Sequence, residues 1–115
     1  MYADPDHTRA MSKSDVAHVM EKHEALGDEL LTAGELVGGA GLALPDETTL
    51  LRLAGDEVVA EDRPFDRDST EQLSAYYEIE CETPERAQEI AGRVLDDHVT
   101  AVELRRIHDT ARTGT

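Results

Sequence analysis

The chain has 115 residues, enough for one domain with a single hydrophobic core and too few for a multidomain enzyme. It carries 26 acidic and 11 basic side chains, and the resulting formal charge of −15 would repel nucleic-acid phosphates and anionic membrane surfaces. We therefore expect neither nucleic acid nor membrane as a partner. No apolar run approaches the roughly 20 residues of a membrane-spanning helix and no signal-peptide pattern is present, so the sequence predicts a cytoplasmic protein.

A long amphipathic helix is the first element that the sequence predicts with several independent signals. Ser12 and Asp15 have the spacing of a capping box, and Gly34 is a typical C-terminal stop. Between them, residues recur at helical spacing on one face. These are Val16, Val19, Met20, His23, Leu26 and Leu30. The predicted helix covers about residues 13–33 and turns His23 toward the rest of the domain.

Short strands are predicted next. Residues 34–44 are glycine-rich but apolar, and residues 48–53 and 57–60 are strand-like runs joined by a hairpin turn at Gly55 and Asp56. We expect them to form one curled antiparallel set. The polar stretch 62–74, which contains Pro64 and Phe65, predicts a loop that crosses the sheet.

The C-terminal half predicts strand, helix and strand. Along 75–81, Tyr77, Ile79 and Cys81 alternate with glutamates, which places them on one face of a strand. Thr83 and Pro84 are typical of a helix start, and residues 99–107 predict a last strand. This order of elements predicts an α+β fold of the ferredoxin-like split βαβ type with an added hairpin.

Two runs carry a family resemblance. They read DRPF at 62–65 and EQLSAYY at 71–77, and together they resemble the signature DGPFAETKEQLGGYY of the YCII-related (DGPFAETKE) proteins. One extra residue separates the two runs, Arg63 replaces a glycine, and Ser74 and Ala75 replace a glycine pair. The resemblance covers roughly residues 2–107. We therefore predict one YCII-related ferredoxin-like domain over 1–107 and a polar C-terminal tail over 108–115.

The resemblance also implies an assembly. Members of this family form a dimeric α+β barrel in which the sheets of two copies close face to face, so we expect a homodimer. Residues 2–4 resemble the end of the family's first strand, but the apolar run that precedes it in the family is missing. We expect a truncated first strand that is short or frayed, and a natural start upstream of Met1.

His23 is the first candidate catalytic residue. It lies before Gly34 at the spacing where family proteins carry the histidine of a His–Asp pair, and an imidazole is a suitable general acid or base near neutral pH. The resemblance implies Asp4 as its partner, with Asp46 as a second candidate. Two alternatives stay open: His23 is a core histidine with one hydrogen bond, and Asp4 orients the next turn together with Pro5.

Four residues of the signature are candidates for substrate binding: Asp62, Phe65, Glu71 and Tyr77. In the alternative interpretation they define a loop conformation, with Phe65 anchored in the core or at the rim of a pocket. The five histidines lack the spacing of common metal sites, and the glycines at 34–41 are in the wrong context for a phosphate loop. We therefore expect no metal and no cofactor.

These observations predict an acid/base enzyme, isomerase, lyase or hydrolase-like, that acts on a small organic molecule through His23. The alternative is a non-catalytic ligand-binding or regulatory protein-interaction module built on the same pocket. An open cavity beside His23 and a carboxylate within reach of its ring would favour the enzyme.

Overall fold

A computed structural model describes residues 1–108, which form an α+β fold of three α-helices and three two-stranded antiparallel ladders, as the element order predicts. The helices are α1 Pro5–Ala10, α2 Lys13–Thr32 and α3 Pro84–Val94. The strands are β1 Tyr2–Ala3, β2 Leu36–Gly41, β3 Leu50–Ala54, β4 Glu57–Glu61, β5 Gln72–Leu73 and β6 Ala75–Ile79. A 3-10 turn, Pro45–Glu47, joins β2 to β3. The predicted tail falls, apart from His108, outside the described residues.

Both ends of α2 are closed by local hydrogen bonds. Ser12 and Asp15 form the full capping box, each side chain accepting the other's backbone N–H. At the other end Gly34 has φ of 72°, and the N–H of Glu35 donates to the carbonyl of Leu30, which is a Schellman motif. The predicted boundaries of this helix are thus confirmed to within one residue.

The sheet pairing differs from the single curled set predicted for residues 34–60. Strand β2 pairs with β6, while β3 and β4 pair only with each other around the turn at Gly55. The turn that begins at Pro45 redirects the chain between β2 and β3, because proline has no N–H to continue a ladder. The hairpin is therefore separate from the ladder that covers the core.

The prediction of a last strand over residues 99–107 is wrong, because the described structure contains no strand there. Only Ala101 forms a bridge, with Tyr2, through hydrogen bonds from the Tyr2 N–H to the Ala101 carbonyl and from the Thr100 N–H to the Tyr2 carbonyl. The reason is that β1 has just two residues, so the chain beyond Ala101 has no neighbour with which to continue the ladder. The expected short first strand is present.

The core lies between the β2–β6 ladder and helices α2 and α3. Its buried members are Met1, Leu26, Leu30, Ile90, Val94 and Val99. Tyr77, Ile79 and Cys81 pack against this cluster, which confirms the predicted alternation along the strand. Within residues 1–108, no helix is both long and apolar enough to cross a bilayer.

Candidate functional site

A cavity of about 200 Å³ lies at the end of the β2–β6 ladder, between α1, α2 and the segment after α3. We call it the His23 cavity. Its walls are mainly apolar and include Met1, Ala3, Val19, Leu42, Leu73 and Val99. Two imidazoles, His23 and His98, are its only ionisable side chains within the described part of the chain. An apolar enclosure with few polar groups is typical of a small-molecule site.

The imidazole of His23 is held by Tyr77. The Nδ1 atom of His23 lies 2.6 Å from the hydroxyl of Tyr77, and the two rings meet edge to face. Such a short distance suits an O–H donor better than an N–H donor, so we assign the proton of this bond to Tyr77. Nδ1 then accepts, and the ring proton of neutral His23 is on Nε2.

Gly39 makes room for this arrangement. It pairs with Tyr77 across the ladder, and a Cβ atom at this position would lie 2.6 Å from the Tyr77 ring. Any other residue at 39 would therefore push the Tyr77 ring away from its place. The position of the phenol that orients His23 thus depends on a glycine in the neighbouring strand.

The other nitrogen of His23 is available to a ligand. Nε2 has no hydrogen-bond partner among residues 1–108 and is not among the buried, unpaired polar atoms. Burial lowers the pKa of His23, and the charge of Lys22 adds to the effect against a smaller opposing influence of Asp96. Burial also raises the pKa of Tyr77. Both rings are therefore neutral at pH 7, and Nε2–H is a donor in a largely apolar cavity.

His98 was not predicted as a site residue, yet it lines the same cavity. Asp96 holds it there, because Oδ1 of Asp96 accepts from the N–H groups of His98 and Val99. Lys22 in turn donates to Asp96 at 2.8 Å. Nδ1 of His98 is buried and has no partner within residues 1–108. The only local signal in the sequence was the aspartate two residues earlier, which is typical of an Asx turn.

The structure does not join His23 to either predicted carboxylate partner by a hydrogen bond within residues 1–108. Asp4 is the N-cap of α1, where Oδ1 accepts from the N–H of Asp6 at 2.9 Å. Asp46 lies 3.9 Å from Arg9. Both aspartates line a separate polar cleft of about 340 Å³. Asp4 therefore has the turn-orienting role that was its alternative interpretation.

The four predicted substrate-binding residues are dispersed. Tyr77 contacts His23, whereas Asp62 is exposed and lines the polar cleft with Asp4. Glu71 accepts a hydrogen bond from the hydroxyl of Thr100. Of the four, only Tyr77 is thus in direct contact with the residue proposed to carry chemistry.

Phe65 is not packed in the core. It is 72% exposed, and the guanidinium of Arg52 lies 5.0 Å from the centre of its ring. It lines an open groove together with Leu42, Leu73 and Ala101. The residues that replace the signature glycines, Arg63 and the pair at 74–75, cause no backbone strain, because no non-glycine residue in the described chain has a positive φ.

Comparison with known proteins adds no relative. No protein-family model matches the chain, and no curated protein matches it significantly. Nor do residues 1–108 contain a group of three or more potential metal ligands close enough to share an ion. The chemistry of the site must therefore be inferred from its own geometry.

Proposed function

We propose that the His23 cavity binds a small, mainly apolar molecule that carries a carbonyl or carboxylate oxygen, and that the Nε2–H of His23 stabilises charge on this oxygen while a proton is exchanged at the neighbouring carbon. The protein would then be an acid/base enzyme of the isomerase, lyase or hydrolase-like kind. The observation that carries this proposal is the open Nε2 of a neutral imidazole whose other nitrogen is fixed by Tyr77. A volume of about 200 Å³ limits the ligand to less than drug size.

The neutral Nε2–H group can act on a carbonyl oxygen. When the proton of the neighbouring carbon passes to the imidazole of His98, the other ionisable group of the cavity, negative charge develops on that oxygen and the fixed donor stabilises it. Because the cavity is mostly apolar, this interaction is stronger than it would be in water. Tyr77, rather than Asp4, orients the ring in this mechanism, and His98 is the second imidazole that contributes to the cavity wall.

We further propose that the chain is a YCII-related protein of the ferredoxin-like split βαβ type that works as a homodimer. The order of elements and the two signature runs support the family. The homodimer is supported by Tyr76, on the face of β6 opposite Tyr77, and by Leu42, the residue after β2, because both are exposed in a single copy. Face-to-face closure of two such sheets would give the dimeric α+β barrel.

One observation favours a second candidate function, a non-catalytic ligand-binding module. No carboxylate lines the His23 cavity within residues 1–108, so the described site lacks a strong base to complement the imidazole donor. A cavity with two imidazoles and apolar walls can hold a small acid without changing it.

Hydrogen–deuterium exchange separates the two functions. Small keto acids, lactones and aldehydes are incubated with the protein in D₂O, and NMR records both binding and loss of the proton next to the carbonyl. We expect exchange with the wild type and with His18→Gln, an exposed histidine on the same helix, and none with His23→Gln. Binding without exchange would support the module instead, and neither binding nor exchange would contradict both.

A further inference from the structure

The β3–β4 hairpin, residues 50–61, has one continuous apolar face. Residues paired across an antiparallel ladder point to the same side. The pairs Leu51–Ala60 and Leu53–Val58 therefore share a face, which we call the arm face. Its leucines are 62% and 74% exposed and Val58 is 67% exposed. The arm face carries no charged residue, although the chain as a whole is strongly acidic.

The β3–β4 hairpin, which we call the arm, is also largely uncovered by the rest of its own chain. From Leu51 to Ala60 every residue is exposed, and the ladder contains only two strands. An isolated two-stranded hairpin is marginally stable in water, so a hairpin of this kind needs a surface that covers it. Large apolar side chains in such a position mark an interaction site.

A complementary surface lies elsewhere on the same chain. A groove of about 840 Å³ has an apolar part formed by Leu42, Leu44, Phe65, Leu73 and Ala101. Its lining also includes four acidic residues, Glu47, Asp66, Glu71 and Glu103. We call it the outer groove. Residues 42–45 and Leu73 form its wall on one side and the wall of the His23 cavity on the other. Whatever fills the outer groove therefore supports the cavity from outside.

The exposed surface of the chain is larger than that of a compact monomer of the same mass. Its accessible area is 8489 Å², whereas a compact monomer of this mass exposes about 6,200 Å². A segment of seven residues, the length of 109–115, counted as wholly unfolded would add no more than about 1,100 Å². More than 1,000 Å² of the excess thus remains, at least the roughly 800 Å² that each partner buries in a standard interface.

We propose that the arm face of one copy packs into the outer groove of a second copy, and the reverse. Each copy has one arm and one groove, so a two-fold exchange covers both surfaces and closes the assembly. The inference rests on the homodimer proposed above and adds a second pair of contacting surfaces to its face-to-face sheets. It also makes the arm of the second copy the outer support of the His23 cavity wall at residues 42–45.

The first test places one charge on the arm face. Leu53→Glu is compared with Leu31→Glu, since Leu31 is a leucine on α2 with a similar exposure of 65% and lies outside both surfaces. Light scattering after size exclusion should give twice the 12.6 kDa chain mass for the wild type and Leu31→Glu. Leu53→Glu should weaken dimerisation at least about tenfold, because a charge would be buried without a partner. Circular dichroism checks that both variants fold.

The second test asks which surfaces meet. Two cysteine variants, Leu53→Cys and Leu42→Cys, are mixed and oxidised. Both are made in a Cys81→Ser background and carry tags of different length. We expect a mixed disulfide dimer from this pair and none when Leu31→Cys replaces Leu53→Cys. A dimer that is unaffected by Leu53→Glu and forms no mixed cross-link would overturn the arm interface while leaving a homodimer in place. A monomeric wild type would overturn both, while proton exchange in the His23 cavity is decided separately by the D₂O experiment.

Discussion

At the residue scale, the pairing of His23 with Tyr77 sets the chemistry of the site. A phenol that donates to Nδ1 fixes the ring without adding a charge, whereas a carboxylate would favour the imidazolium form. Burial also keeps the ring neutral, because it lowers the pKa of His23. The result is a neutral imidazole that donates a hydrogen bond from Nε2–H, which suits a carbonyl ligand in an apolar cavity.

The lowered pKa of His23 predicts a specific dependence of stability on pH. The unfolded chain binds this proton more tightly than the folded chain, so the contribution of His23 is fully present above the ordinary pKa of 6.5 and is lost as the pH falls from 6.5 through the lower pKa of the folded chain. Denaturant unfolding at several pH values should show a fall in the unfolding free energy below about pH 6.5. His23→Gln should reduce that fall, and His18→Gln should retain it.

Protonation of ion-paired carboxylates produces a separate loss of unfolding free energy at lower pH. The hydrogen bond from Arg93 lowers the pKa of Glu29 below its ordinary 4.5, so that contribution is present above pH 4.5 and is lost as the pH falls from 4.5 through the pKa of the folded chain. This second loss should be the same in wild type, His23→Gln and His18→Gln. If the difference between wild type and His23→Gln does not change between about pH 7 and 5, the proposed burial of a neutral imidazole is contradicted.

Removal of the Tyr77 hydroxyl should weaken both the fold and the site. Tyr77→Phe leaves Nδ1 of His23 without its partner, and the loss should lower the unfolding free energy by about 1 kcal/mol. Tyr76→Phe is the matched control, because Tyr76 is exposed on the opposite face of the same strand and its hydroxyl has no hydrogen bond within residues 1–108. Equal losses of unfolding free energy in the two variants, measured by urea denaturation, would show that the His23–Tyr77 hydrogen bond does not stabilise the fold.

At the element scale, α3 depends on a single cap. The hydroxyl of Thr83 accepts from the N–H of Arg86 at 3.2 Å, and Pro84 occupies the first turn. Thr83→Ala should therefore lower the unfolding free energy by about 1 kcal/mol, while Thr83→Ser should remain close to wild type because serine also caps. Thermal unfolding of the three proteins measures this order, and a Thr83→Ser variant as weak as Thr83→Ala would exclude capping as the cause.

The elements that could be predicted from the sequence are those with local signals. Caps at Ser12 and Thr83 and an apolar stripe define α2 and α3, and the turn at Gly55 defines the β3–β4 hairpin. Helix α1 was not predicted, because its six residues form no apolar stripe, although Asp4 and Pro5 are a typical start. The last strand was predicted in error because strand length depends on a distant partner, here the two residues of β1.

The candidate site was predictable only in part for the same reason. His23 and Tyr77 were both named from the sequence, but their contact depends on the register that places Gly39 opposite Tyr77. Asp4 was assigned to His23 by resemblance, while its carboxylate caps the helix that begins beside it. His98 was missed because a short turn at Asp96, and no periodic pattern, brings it to the cavity.

At the scale of the whole molecule, the net charge of −15 opposes both folding and association. Added salt shortens the screening length from about 8 Å at physiological strength to about 3 Å at 1 M. We therefore expect the melting temperature to rise with NaCl and the proposed dimer to tighten. A melting temperature that stays flat or falls from low salt upward would show that the acids are already neutralised locally by pairs such as Arg93–Glu29.

The central claim is that His23 is neutral at pH 7 and presents Nε2–H to the cavity. Long-range ¹H–¹⁵N NMR of the histidine side chains tests it directly, with His23→Gln to assign the signal. We predict an unprotonated Nδ1, a protonated Nε2 and a titration midpoint below the ordinary 6.5. A proton on Nδ1 at pH 7, or an imidazolium that persists above 6.5, would contradict the claim.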